Sequence, residues 1–137
     1  AEKLDSLANS DYQGILIAHG TDTMHYTSSF LSFALAGFPI PVALVGSQRS
    51  SDRPSSDAAI NLIAASKFLV ESNTKGIFLV MHHNDNDQTV ACHAGTRVRK
   101  NHTSKRGAFE TIGGDPAFTV FEGKDRKSTR LNSSHKT

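Results

Sequence analysis

Three short apolar runs, at residues 14–19, 42–45 and 76–81, each follow a stretch of helical period. That alternation constrains the fold more than any other feature of the chain. All three runs are nearly continuous in apolar residues, as expected of strands covered on both faces. Helix, strand, helix, strand, helix, strand dictates crossover connections and a parallel sheet. The first helix is read at residues 1–9. A second spans 23–36, where Met24, Thr27, Phe30, Leu31, Ala34 and Leu35 recur at three- and four-residue spacing. Gly37 stops it and Pro39 forbids its continuation. The third spans 56–71 and has a broad apolar face (Ala58, Ala59, Ile60, Leu62, Ile63, Ala65, Phe68, Leu69), which suggests packing on a sheet and on a neighbour. After His82 the pattern weakens, with short strands predicted at 89–93 and 117–121. The fold class expected is α/β: an open, mainly parallel sheet with helices on both faces.

A chain of 137 residues accommodates one domain of ordinary size. A lone cysteine, Cys92, cannot form an internal disulfide, so a reducing, cytoplasmic setting is expected and Cys92 reads as a packing residue. No run approaches the ~18 apolar residues of a membrane span. Residues 124–137 contain a single aliphatic residue, Leu131, and no periodicity. They are expected to be disordered. The segment DRKSTRLNSSH also resembles a translated adapter tail, so residues 1–123 are taken as the domain. Residues 125–137 hold four Lys/Arg and one Asp, leaving eleven basic and twelve acidic residues elsewhere. The formal charge of +2 therefore comes from the tail and gives no evidence for a nucleic-acid surface on the domain.

The first apolar run delivers His19-Gly20-Thr21-Asp22 to its carboxyl end, where ligands bind in open α/β sheets. Thr21 and Asp22 are thus site candidates, although either residue type is also a common helix N-cap. A second cluster, at residues 95–106, packs five basic side chains into twelve positions. A solvated face is the ordinary explanation. Nucleic-acid binding lacks an interleaved aromatic residue for stacking. The remaining option is one lysine drawn inward, where it can accept a proton from a hydroxyl beside a carboxylate. Spacing alone does not choose which lysine.

Three segments together, HGTDTMHYTSSFLSF (19–33), LVGSQRSSDRPSSDAAINL (44–62) and GTRVRKNHTSKRGAF (95–109), resemble the asparaginase-like amidohydrolases. Within that family they are most similar to the D subunits of archaeal glutamyl-tRNA(Gln) amidotransferases. The resemblance runs from about residue 1 to about residue 123. It implies that Thr21 is the second catalytic threonine, that Asp22 grips the substrate's α-ammonium group, and that Lys100 is the catalytic lysine. It implies hydrolysis of glutamine, or of asparagine in an ordinary asparaginase, and a homodimer built through this domain. It further implies delivery of ammonia to the amidotransferase's E subunit, which acts on tRNA(Gln)-bound glutamate. No cofactor is expected in this chain; ATP and magnesium would serve that partner. The family's first catalytic threonine lies in a TGGTI-like motif on the domain's first strand, and no such motif occurs here. The chain is therefore expected to carry an incomplete amino-terminal part of the sheet and half a site. A catalytically silent binding or assembly module of the same fold is the alternative from another class.

Gly46 and Ser47 are expected to approach the ligand by backbone. Arg49, Asp52 and Arg53 read as a subunit contact. His82, His83, Asp85, Asp87 and His93 lack metal-ligand spacing, and Asn84–Asp87 read as turn chemistry after the third strand, so no metal is expected.

Overall fold

The computed structural model describes residues 2–7, 11–49, 52, 56–83, 89–101, 108–122 and 129–133, of which residues 5, 121–122 and 129–133 are described through their backbone alone. The elements are α1 (Glu2–Ser6), β1 (Ile15–Ala18), α2 (Met24–Ala34), β2 (Val42–Val45), α3 (Ala58–Glu71), β3 (Ile77–His82), β4 (Thr89–Ala94), β5 (Val98–Lys100), β6 (Phe109–Thr111), β7 (Phe118–Glu122) and β8 (Thr129–Ser133). One six-stranded sheet runs β1-β2-β3-β4-β7-β8, and β5-β6 form a separate hairpin. β1, β2 and β3 are parallel to one another. β4, β7 and β8 add on antiparallel.

Alternation along the strands builds two apolar layers, because successive side chains point to opposite faces. Val42, Leu44, Ile77, Leu79 and Met81 pack with Met24, Leu31 and Leu35 of α2 and its exit. Ala43, Val45, Phe78 and Val80 pack with Ala64, Ala65, Phe68 and Leu69 of α3. Both β2 and β3 are buried throughout, which is why their sequences lack polar alternation, whereas β1, expected to be covered likewise, is only half-buried because it stands at the edge of the sheet. The α3 layer holds an aromatic cluster, with Phe68 and Phe78 ring centres 4.8 Å apart at a tilt of 67°. Such edge-on pairs add about 0.5–1.5 kcal/mol to simple burial.

Several expectations change. The buried stripe of α2 is narrower than its apolar pattern: Met24, Ser28 and Leu31 are buried, whereas Phe30 is 64% exposed and Ala34 is exposed. The broad face of α3 is also incompletely covered among the described residues, with Leu62 and Ile63 exposed. The hairpin β5-β6 lies within a basic, polar stretch without strand periodicity. His82 belongs to β3 rather than to the turn that follows; residues 84–88, which contain the expected turn, lie outside the described residues. In the tail, Thr129–Ser133 pair with β7 as an edge strand, with Leu131 opposite Val120. Cys92 is buried in the α3 layer, and burial pushes its thiol far up.

Candidate active site

The site is assembled where β1 and β2 end. The ladder between them continues past β1, with the His19 amide donating to Val45 O at 2.9 Å. His19 then ties the loop down. Its Nδ1 lies 2.6 Å from the Gly20 carbonyl, an acceptor only, so that nitrogen carries the hydrogen. Its Nε2 accordingly accepts from Thr27 Oγ1 of α2 at 2.9 Å. Gly46, at the end of β2, must be glycine for this approach: a Cβ there would stand 2.6 Å from His19 O and 3.2 Å from Thr21 Cγ2.

Helix α2 starts with Thr23 at the N-cap, without a side-chain cap bond. Thr21 and Asp22 are therefore not the caps, and their side chains are directed elsewhere. Lys100 Nζ donates to Thr21 Oγ1 at 3.1 Å and to Asp22 Oδ1 at 3.0 Å. The three residues chosen from the sequence thus meet across a separation of 78 positions. Thr21 Oγ1 in turn donates to Gln48 Oε1 at 3.3 Å.

Lys100 arrives on β5, which pairs with β6 so that Lys100 lies opposite Phe109. Val98 and Phe109 are buried in the α2 layer and seat the hairpin on that helix. Gly95 secures the turn before it. Ser28 Oγ donates to Gly95 O at 2.9 Å, and a Cβ on Gly95 would lie 2.7 Å from Ser32 Oγ and 2.9 Å from Ile77 O. The lysine side chain is 6% exposed, with Nζ 5.8 Å from the Phe109 ring centre, while the Asp22 side chain is 88% exposed. A sheltered ammonium thus faces an open carboxylate. The His25 ring lies 6.4 Å from that of Phe109; burial first, then the charges of Lys100 and Arg99, lower its pKa.

A cleft of about 530 Å³ opens beside these residues, lined by Ala18, His19, Gly20, Val45, Gly46 and Ser47, with Ala58 and Leu62 across from them. That volume is within the range of small-molecule sites. Gly46 and Ser47 line it, as the sequence suggested; Thr21, Asp22 and Lys100 stand at its side rather than on its wall. Arg49 lies on the same loop and its amide donates to Asp57 Oδ1 at 3.2 Å. Arg53 lies outside the described residues. Among the described residues, no three His, Cys, Asp or Glu side chains are grouped to hold a metal ion. No described helix is long and apolar enough to cross a membrane.

Sequence reading missed His19, Gln48 and Phe109. A histidine and a glutamine beside glycine-rich strand ends were a usable signal. Phe109 was not, since its role depends on a hairpin that the local pattern does not encode.

The chemistry available is proton transfer. A hydroxyl in contact with an amine, and that amine in contact with a carboxylate, form a relay of the Ser-Lys type. Comparison with known proteins gives the family. The family model described as "Asparaginase, N-terminal" matches residues 1–134. The D subunit of the glutamyl-tRNA(Gln) amidotransferase of Thermococcus kodakarensis is 53% identical over 117 residues, covering 85% of this chain and 26% of that protein. The corresponding D subunit of Methanopyrus kandleri is 45% identical over 130 residues, covering 95% and 28%. The thermostable L-asparaginase from Thermococcus kodakarensis superposes with a TM-score of 0.80 at 33% identity, over 99% of this chain and 37% of that one. The chain spans little more than a quarter of the curated relatives' length. The match over residues 1–134 and the shared fold make the chain a member of the asparaginase family, within that family's amino-terminal domain.

Proposed function

We propose that this chain contributes to the glutaminase site of a glutamyl-tRNA(Gln) amidotransferase, in which glutamine is hydrolysed to glutamate and ammonia. The contact of Lys100 with both Thr21 and Asp22 carries this reading. The names of the relatives near 50% identity favour glutamine over asparagine, the 33%-identical L-asparaginase being the second reading. In turnover, neutral Lys100 takes the proton of the Thr21 hydroxyl, and Asp22 balances the charge the lysine gains. The exposed Asp22 carboxylate also meets the α-ammonium group of the amino-acid substrate. Ammonia released here is used by the E subunit of the amidotransferase, with ATP and magnesium, to amidate glutamate carried on tRNA(Gln). Assembly as a homodimer through this domain and a cytoplasmic location complete the proposal.

The test is ammonia release by the full-length form of the protein with glutamine and with asparagine in parallel. Turnover of glutamine that is lost in Lys100→Met supports the reading. A higher kcat/KM for asparagine favours the asparaginase. A folded full-length protein that hydrolyses neither amide favours a binding module.

A further inference from the structure

A buried polar cluster lies directly under the loop that carries Gln48. Asp57, Asn61 and His82 are each fully buried, on the lead into α3, on α3 and on β3. Fully buried polar groups are retained only when partnered, because an unpartnered one carries its whole desolvation penalty. The Asp57 carboxylate accepts from the backbone amide of Gln48 at 3.0 and 3.2 Å, from that of Arg49 at 3.2 Å, and from Asn61 Nδ2 at 3.0 Å. The other hydrogen of Asn61 Nδ2 goes to Gly46 O at 2.9 Å. Both partners of that nitrogen are acceptors, which fixes the orientation of the amide. Asn61 Oδ1 therefore accepts from His82 Nδ1, 2.9 Å away, and that ring nitrogen carries the hydrogen. Together these bonds grip Gly46, Gln48 and Arg49 by their backbone. The gripped loop holds Gln48 Oε1 where Thr21 Oγ1 donates to it. A hydroxyl has one hydrogen, so an acceptor that takes it turns the oxygen's lone pairs elsewhere. One of them receives Lys100 Nζ.

We propose that Gln48 is a positioning residue that anchors the Thr21 hydroxyl oxygen within reach of Lys100, and that Asp57, Asn61 and His82 form the buried brace that holds Gln48 in place. In this arrangement the Thr21 hydrogen rests on Gln48 while Lys100 donates. Proton transfer to neutral Lys100 then breaks the Thr21–Gln48 bond and rotates the Thr21 C–O and Lys100 Cε–Nζ bonds, so that the hydroxyl hydrogen meets the amine lone pair with no movement of the backbone. The proposal rests on the relay reading given above, and part of its test is independent of that reading.

The full-length form is used for Gln48→Leu, Gln48→Glu and Asp57→Asn. Gln48→Leu removes the acceptor from a half-buried loop and leaves the brace intact. Glutamine turnover should fall about tenfold in kcat, the rate equivalent of one net hydrogen bond, with KM within about twofold. Gln48→Glu keeps an acceptor at the same reach and should recover kcat to within about threefold of the parent. Asp57→Asn replaces the charged acceptor of two backbone amides by a neutral amide with one oxygen, which weakens those bonds and sets an NH2 group against a donor that the carboxylate had satisfied. Hydrogen exchange across Gln48 and Arg49 should quicken at least about tenfold while β2 and β3 stay protected. Parent-like kcat in Gln48→Leu, or a common fall in Leu and Glu variants, would overturn the positioning role. Unchanged exchange at Gln48 and Arg49 in folded Asp57→Asn would overturn the brace. The exchange measurement needs no turnover, so it decides the brace even if the glutaminase reading fails.

Discussion

Lys100 Nζ and Asp22 Oδ1 stand 3.0 Å apart, the lysine almost wholly enclosed and the aspartate almost wholly exposed. An ion pair open on one side contributes only about 0–1 kcal/mol to stability. The pair is therefore not what holds the β5-β6 hairpin on α2; Val98 and Phe109 do that by burial. Its value lies in chemistry, because it keeps an amine within reach of the Thr21 hydroxyl.

Replacement of Lys100 separates these roles. In the full-length form, Lys100→Met should lower the kcat for glutamine at least about a hundredfold, the lower bound of general acid–base contributions. Its thermal midpoint should stay close to the parent's. Lys105→Met should change turnover little. Similar small effects of the two substitutions would show that the basic run is only a solvated face.

Gly46 should tolerate no side chain. Gly46→Ala forces a Cβ to within 2.6 Å of a backbone oxygen, which cannot rotate away. A loss of roughly 1–3 kcal/mol is expected from such overpacking, together with reduced turnover as the Thr21 loop is displaced. Gly20→Ala is the control, since nothing lies within 4 Å of its Cβ position. Urea midpoints of the two variants should differ clearly.

His93 gives the fold an acid sensitivity. Burial, and then the charge of His83, lower its pKa to about 4 from an ordinary 6.5. Between those values the unfolded chain binds the proton and the folded chain does not, so stability rises with pH across the window and is lost as pH falls through it. The loss by pH 4 amounts to up to about 3 kcal/mol. Denaturation midpoints measured from pH 7 to pH 4 should fall, and His93→Gln should flatten the slope. An identical slope in the variant would remove His93 from the explanation.

Phe68, fully buried among Phe78 and Phe118, should be the costliest side chain to truncate in the α3 layer. Phe68→Ala is expected to destabilise by about 3–5 kcal/mol through lost burial and a cavity. Phe33→Ala, at a residue 75% exposed, should stay within about 0.5 kcal/mol. Calorimetric melting of both variants tests the assignment of core and surface on two helices with similar apolar patterns.

Sequence alone determined the strands that are buried on both faces and the helices between them. There the hydrophobic period is local: Val42–Val45 was read to the residue, and β1, β3, β4 and β7 within a residue at each end, whereas β5, β6 and β8 were not read. It also brought Thr21 and Asp22 to a strand's carboxyl end, because a glycine and two polar residues after an aliphatic run are a local signal. The identity of the lysine came from resemblance, not from pattern; five basic residues in a row of twelve are equivalent until something encloses one of them. Tertiary structure decided that. Val98 and Phe109 bury against α2, the hairpin places Lys100 opposite Phe109, and only then does Nζ face Thr21. The brace of Asp57, Asn61 and His82 was invisible for the same reason. Its partners come from separate segments, and hydrogen bonds among them exist only after the sheet and α3 have closed over them. Which apolar side chains remain exposed, as with Phe30 and Phe33, was likewise decided by how much of each helix the sheet could cover.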